Sequence, residues 1–370
     1  MRPTAAIIDL SAYRYNLEQI KKRVSPAQVM AVVKANAYGH GMIQCARAAL
    51  EAGATYLGVA LVEEGIALRQ QRIEAPVLVF CGVIPEQIAL FIENRLEMVL
   101  YFESVAADVS RLAQRMGKPA IAHIKIDTGM GRVGVRWDNA LPVIQKIAQL
   151  PALRLKGICT HFATSDERDK VFANQQLKRF NQIVEQLAII GIHFQLKHVA
   201  NSGAILDMPD SYFDMVRPGI VSFGWYPSEE TSESLALKPV MTFKTRVLYI
   251  KEIQAGESVS YGRKFIAQQR TRIATLPVGY GDGYNRLLTN QGAVLIRGKR
   301  FPVVGRICMD LIHVDIGYDS EIKEGDDVVL FGQQMSEFIP VTDICRKINT
   351  IPYEVLCGIS NRVPRIYQYE

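Results

Sequence analysis

The feature that most constrains this chain is a regular alternation of two textures over its first 225 residues or so. Short apolar runs rich in Val and Ile are separated by longer amphipathic segments rich in Ala, Leu, Glu, Gln and Arg. A strand buried on both faces reads as a near-continuous apolar run, and a covering helix reads as a stripe of period 3.6. Strands are predicted at 28–34, 56–60, 76–80, 97–101, 120–127, 153–162, 194–201 and 215–220. Helices are predicted between them at 42–52, 63–71, 85–94, 104–116 and 171–190. Strand–helix alternation requires a parallel sheet. Eight units in this length match a (β/α)8 barrel in number and size. The rival is a doubly wound open sheet, but the Gly-x-Gly-x-x-Gly fingerprint after the first strand is absent.

The texture changes at 226–235, where Pro227-Ser228-Glu229-Glu230-Thr231-Ser232-Glu233 is polar and aperiodic, as in a linker. Beyond it come strand-like runs at 240–250, 272–278, 293–296, 301–307, 311–316 and 327–331, a hairpin around Gly298-Lys299 and one short helix near 341–348. The expectation is an α/β protein of two domains. A barrel spans 1–230 and a mostly β domain spans 231–370, the first ten or so residues being free to pair with the latter.

Composition narrows the class. With 49% hydrophobic and 22% charged residues the chain is neither disordered nor a coiled coil. A formal net charge of +6 comes with no basic run that would track a phosphate backbone, so no nucleic acid is expected as a partner. No uncharged stretch approaches a membrane span, and the N-terminal apolar run ends at Asp9, too short for a secretory signal. Six scattered cysteines without Cys-x-x-Cys suggest free thiols in a reducing compartment. The histidines form no metal pattern, and no metal is expected.

Barrel chemistry sits at the C-terminal ends of strands. The first predicted strand ends at Lys34, where desolvation would make the amine a nucleophile or base. The competing reading is a lysine that snorkels to solvent, which a lone lysine favours. Strand seven runs into Asn201-Ser202-Gly203 and strand eight into Arg217-Pro218-Gly219-Ile220, the usual phosphate position of this fold. Ser202 offers a hydroxyl, backbone N–H groups point outward, and Gly219 admits close backbone approach. A lysine across the mouth from a phosphate cup suits pyridoxal 5′-phosphate.

Longer segments carry a resemblance. Ala31-Val32-Val33-Lys34-Ala35-Asn36-Ala37-Tyr38-Gly39-His40-Gly41 resembles the cofactor-lysine motif of alanine racemases. In the barrel, Lys125-Ile126-Asp127-Thr128-Gly129-Met130-Gly131-Arg132, Thr160-His161-Phe162, Ala200-Asn201-Ser202 and Arg217-Pro218-Gly219 also resemble family motifs. In the β domain, Val259-Ser260-Tyr261-Gly262-Arg263, Gly279-Tyr280-Gly281-Asp282-Gly283-Tyr284, Cys308-Met309-Asp310 and Ile351-Pro352-Tyr353-Glu354 do so, in family order.

The resemblance implies a pyridoxal-phosphate isomerase that interconverts L- and D-alanine. Lys34 forms the aldimine and acts as one acid/base, and Tyr261 of the partner chain acts as the other. An unperturbed tyrosine, with a pKa of about 10, needs nearby positive charge to serve as a base, and His161 and Arg217 are the candidates for a hydrogen-bonded chain that reaches it. Arg217 faces the ring nitrogen, where a donor-only, permanently charged group keeps that nitrogen unprotonated. Tyr38, Ser202, Gly219, Ile220 and Tyr353 are carried over as phosphate ligands, and His161 and Asn201 as further cofactor contacts. Arg132 and Met309 bind substrate, and Lys125 becomes a carbamate that positions Arg132. Asp166, Tyr280, Arg286, Arg306 and Tyr353 line the entry. The resemblance further implies a cytoplasmic homodimer with shared sites, making D-alanine for peptidoglycan.

Other readings remain open at this stage. A broader-specificity or serine racemase would share the motifs. An amino-acid decarboxylase of the same architecture would carry a Gly-rich phosphate loop and an acid at the ring nitrogen, and a non-catalytic cofactor carrier would have no use for Tyr261.

Overall fold

The computed structural model describes residues 2–318 and 320–369. The chain divides into two compact units. The barrel unit takes Tyr13–Ala37 and Met42–Lys238, and the β unit takes Met1–Ala12, Tyr38–Gly41 and Pro239–Glu370.

Eight parallel strands form the barrel ladder, in the order Met215–Val216, Gln28–Val32, Tyr56–Val59, Val77–Val79, Glu97–Leu100, Ala120–Asp127, Leu153–Cys159 and Leu196–His198. The two ends of the ladder are tied by single hydrogen bonds, Asp214 N to Lys197 O at 3.1 Å and Arg217 N to Ala200 O at 2.9 Å. Met30, Tyr56, Leu78, Val99, Leu196 and Met215, each from a different strand, pack as one buried layer, so the interior is filled rather than open.

Most strands end earlier than their apolar runs. The run 28–34 stops at Val32, 153–162 at Cys159, and 215–220 at Val216. Apolarity continues past the ladder because the mouth is buried too, while the backbone leaves the sheet to aim side chains. Helices Leu10–Val24 and Ala140–Ala148 were not singled out from the sequence. The first carries a clear stripe, with Tyr13, Leu17, Ile20 and Val24 all buried.

In the β unit one sheet runs Lys299–Pro302, Ala293–Ile296, Asp327–Gln334, Met241–Arg246, Ala5–Asp9, Arg365–Gln368. The N-terminal strand Ala5–Asp9 lies antiparallel to Met241–Arg246 and parallel to Arg365–Gln368. The hairpin joins Ile296 to Lys299 through Arg297 and Gly298, whose φ values of 52° and 70° suit a tight hairpin turn. The run 240–250 is two strands. At Val247 and Leu248 the backbone bonds first to Asp326 O and then to Thr275 O, crossing from one sheet to the next.

The polar segment 226–235 is not a free linker. Tyr226 donates to Leu235 O at 2.7 Å, Glu230 accepts from Arg168 N at 2.7 Å, Ser228 donates to Asp166 O, and Thr231 is buried. Its polar side chains bond to the barrel unit, which sequence polarity alone does not reveal. Among the described residues no helix is long and apolar enough to cross a membrane.

Candidate active site

Lys34 follows the first barrel strand directly. Val33 N still bonds to Gly58 O at 2.9 Å, and then Ala35, Asn36, Ala37 and Tyr38 all take left-handed backbone, with φ of 52–53°. Such geometry costs about 1–2 kcal/mol for each L residue, so the surroundings must impose it. Glu64 is one clamp. Its Oε1 accepts from Ala35 N at 2.7 Å, and its Oε2 accepts from Ala60 N at 2.8 Å and Leu61 N at 3.1 Å. Asn36 Oδ1 accepts from Met42 N at 2.9 Å.

Arg217 lies buried beyond the eighth strand. Its Nη1 donates to His198 O at 2.5 Å and to His198 Nδ1 at 3.0 Å. Its Nη2 donates to Thr160 O at 2.8 Å, Val199 O at 2.9 Å and His161 Nδ1 at 3.2 Å. With both Nη groups engaged, only Nε–H lacks a protein acceptor among the described residues. His161 is held well below the usual imidazole range by burial and by the charges of Arg217, Arg132, Lys125 and Lys34. All four charges act in the same direction and keep this ring neutral.

Beside them, Ser202 Oγ accepts from Gly219 N at 3.0 Å and so joins the seventh and eighth loops. Asn201 Oδ1 accepts from Ala204 N at 3.1 Å and Ser165 Oγ at 2.7 Å. A Cβ on Gly203 would stand 2.7 Å from Ser165 O, so only glycine allows this approach. Ile220 is buried and Asp166 partly so. Lys125 is buried, and burial together with the Arg132 and Arg217 charges lowers its pKa. Arg132 is exposed on the loop that Asp127 shapes by accepting from Gly129 N and Gly131 N, both at 3.0 Å.

The remaining residues belong to the β unit. Tyr38 is buried with its ring 5.8 Å from that of Tyr353, and burial, reinforced by Tyr353 and Cys357, raises its phenol far above its usual value. Tyr261, Tyr280, Arg306 and Met309 form a second group. Ser260 Oγ donates to Arg306 O at 2.5 Å, Tyr280 N to Cys308 O at 3.1 Å and Gly281 N to Met309 O at 3.0 Å. Tyr261 is 69% and Met309 52% exposed. Arg286 is also exposed, in a short 3-10 turn.

Sequence reasoning missed Glu64 and a buried trio, Glu97, His123 and His198, that abuts Arg217. The signal was present. Glu97 opens an otherwise apolar strand, and His123 and His198 stand within apolar runs predicted as strands.

The family model of the alanine racemase N-terminal domain matches residues 8–227, and that of the alanine racemase C-terminal domain matches residues 240–367. Alanine racemase 2 of Caldanaerobacter subterraneus subsp. tengcongensis is 46% identical over 100% of this chain and 96% of its own length. The solved alanine racemase of Clostridium difficile 630 superimposes with a TM-score of 0.95 at 39% identity, covering 99% of this chain and 96% of that one. The alanine racemase of Bartonella henselae, solved with covalently bound pyridoxal phosphate, superimposes with a TM-score of 0.90 at 31% identity over the whole of both chains.

Proposed function

The chain belongs to the alanine racemase family, and from that premise we propose that it interconverts L- and D-alanine with pyridoxal 5′-phosphate held at the barrel mouth. The residues present fit that cofactor. The charges of Lys34, Arg132 and Arg217 all act on His161, a cationic setting for a phosphate-bearing molecule and a substrate carboxylate. The observation that carries the reading is Arg217, whose Nη groups are taken up by the protein, so that its Nε–H would be the donor available to a ring nitrogen.

Lys34 would hold the cofactor covalently, Arg217 its ring nitrogen, and Ser202, Gly219, Ile220, Tyr38 and Tyr353 its phosphate, with His161 and Asn201 beside them. The bound cofactor supplies an electron sink that acidifies the substrate Cα–H. The Lys34 amine takes or returns that proton on one face. On the other face the phenolic oxygen of Tyr261 of the partner subunit does the same, so a proton removed from one side is replaced from the other. Arg132 and Met309 receive the substrate. Asp166, Tyr280, Arg286, Arg306 and Tyr353 line its entry. A donor-only guanidinium cannot pass a proton to the ring nitrogen, which favours proton return over side reactions.

Lys125 carries a carbamate in this reading. A lysine whose ammonium is disfavoured by burial and flanking cations keeps more free amine to take up CO2, and the product is an anion suited to Arg132. The working unit is a homodimer. Leu61, Ile84 and Phe102, 52%, 54% and 59% exposed, stand on successive loops at the barrel mouth, and the β unit exposes Tyr261 and Met309. Such apolar exposure fits surfaces that are covered in an assembly. A cytoplasmic supply of D-alanine for peptidoglycan completes the proposal.

The experiment is incubation of the cofactor-loaded protein with L-alanine, followed by chiral chromatography. D-alanine accumulating to a racemic mixture is the expected result. Loss of the carboxyl group as ethylamine, or no change, would overturn the reading.

A further inference from the structure

Beneath Arg217 a file of polar side chains crosses the barrel interior. Arg217 Nη1 lies 3.0 Å from His198 Nδ1, His198 Nε2 lies 2.8 Å from His123 Nδ1, and His123 Nε2 lies 2.8 Å from Glu97 Oε2. Both histidines are 0% exposed and Glu97 is 4% exposed, so each imidazole nitrogen must find its partner within the file.

The ends of the file fix its direction. A guanidinium only donates and an ionised carboxylate only accepts. His198 Nδ1 must therefore accept from Arg217, which leaves the hydrogen on Nε2. That hydrogen is donated to His123 Nδ1, and His123 in turn carries its hydrogen on Nε2 and donates it to Glu97. Both rings are thus neutral Nε2–H tautomers. Their electrostatics agree. Burial and the Arg217 charge hold His198 well below the usual range, and burial lowers His123. Burial pushes the Glu97 carboxyl up, yet hydrogen bonds and charge from His123 and Lys156 outweigh it and keep Glu97 ionised.

We infer that Glu97 is a positioning residue of the reaction: through His123 and His198 it keeps a hydrogen-bond acceptor against Arg217 and so holds the guanidinium as a donor toward the cofactor ring. The tautomers follow from the barrel interior alone. Their consequence for catalysis rests on the function proposed above.

The second carboxylate oxygen makes the inference testable. Lys156 Nζ donates to Glu97 Oε1 at 2.7 Å, and Tyr56 OH donates to both oxygens at 3.0–3.1 Å. In Glu97→Gln the donor-only ammonium claims the amide oxygen and turns the amide NH2 toward His123. Both imidazoles are then driven to the Nδ1–H form, and His198 meets Arg217 donor against donor. In Glu97→Gln/Lys156→Met that claim is gone, and the amide oxygen can return to His123.

The test is 15N NMR of the histidine-labelled, cofactor-loaded protein, assigned by single His→Gln variants, with kinetics and absorbance spectra of the same samples. The wild type should show His123 and His198 as Nε2–H tautomers through neutral pH. Glu97→Gln should lose that pattern, lower kcat about 10- to 100-fold, as expected for a lost bond to a charged group, leave KM for alanine nearly unchanged, and add long-wavelength absorbance during turnover. The double variant should recover the tautomers and most of kcat. An Nδ1–H or doubly protonated ring in the wild type would overturn the inference, even if Glu97→Gln does not fold. So would a folded Glu97→Gln with wild-type kcat and spectrum. Failure of the wild type to bind pyridoxal 5′-phosphate or racemise alanine would instead strike the proposed function, while the wild-type tautomers would still report on the file.

Discussion

Lys34 is the residue at which borohydride reduction of the cofactor-loaded protein is expected to leave a permanent adduct. Mass spectrometry of the digest should place the added mass on the peptide containing Lys34, and an adduct on Lys125 or any other lysine would contradict the assignment. Replacing Tyr261 by Phe should lower racemisation in both directions by about 10²–10⁴-fold, the usual worth of an acid/base group, with cofactor binding retained. Turnover near wild type would remove Tyr261 from the reaction. The buried histidines bear on stability as well. His123 and His198 have folded-state pKa values below their unfolded value of about 6.5. Below that pH the unfolded chain takes up protons that the folded chain does not, so stability falls as pH drops, by up to about 1.4 kcal/mol per unit for each ring. Urea midpoints at pH 8 and pH 5 should show the decline, and equal midpoints would contradict it. Lys34, Ser202 and Arg217 were legible in the sequence because each stands in a contiguous motif at a strand end. The file from Glu97 to Arg217 was not, because its members come from separate strands that only the closed barrel brings together.

The turn that follows the first strand holds Lys34 by strain. Nothing in Ala35-Asn36-Ala37-Tyr38 announces four successive left-handed residues, since none is glycine, and the strand was expected to run through Lys34. One tie that holds the turn is remote in sequence: Glu64 Oε1 accepts from Ala35 N, while Oε2 accepts from Ala60 N and Leu61 N at the start of its own helix. Glu64→Ala should therefore destabilise the fold by roughly 1 kcal/mol, because these bonds lie toward the surface, and should also release cofactor several-fold more readily on dialysis. Loss of stability with unchanged cofactor retention would mean that Glu64 does not position Lys34. The barrel itself was legible for the opposite reason. Its strands are short apolar runs at regular spacing, and eight of them with covering helices admit few architectures.

For the whole molecule, the chain places Lys34, Ser202, Arg217 and Gly219 in one compact unit and Tyr261, Tyr280 and Met309 in the other. The barrel and the β texture were legible in the sequence; the bonds that tie 226–235 to the barrel unit were not, because polarity looks the same in a free linker and in one tied down by hydrogen bonds. The central claim is that Lys34 of one subunit and Tyr261 of its partner act on one alanine. It is tested by mixing the inactive variants Lys34→Ala and Tyr261→Ala, with subunit exchange confirmed by mass-tagged heterodimers, and measuring alanine racemisation. A twofold dimer with shared sites gives each heterodimer one intact site of two. An equimolar mixture should then recover about a quarter of wild-type activity per chain. If exchange is complete and the mixture stays as inactive as either variant alone, each chain builds its own site and the claim is wrong.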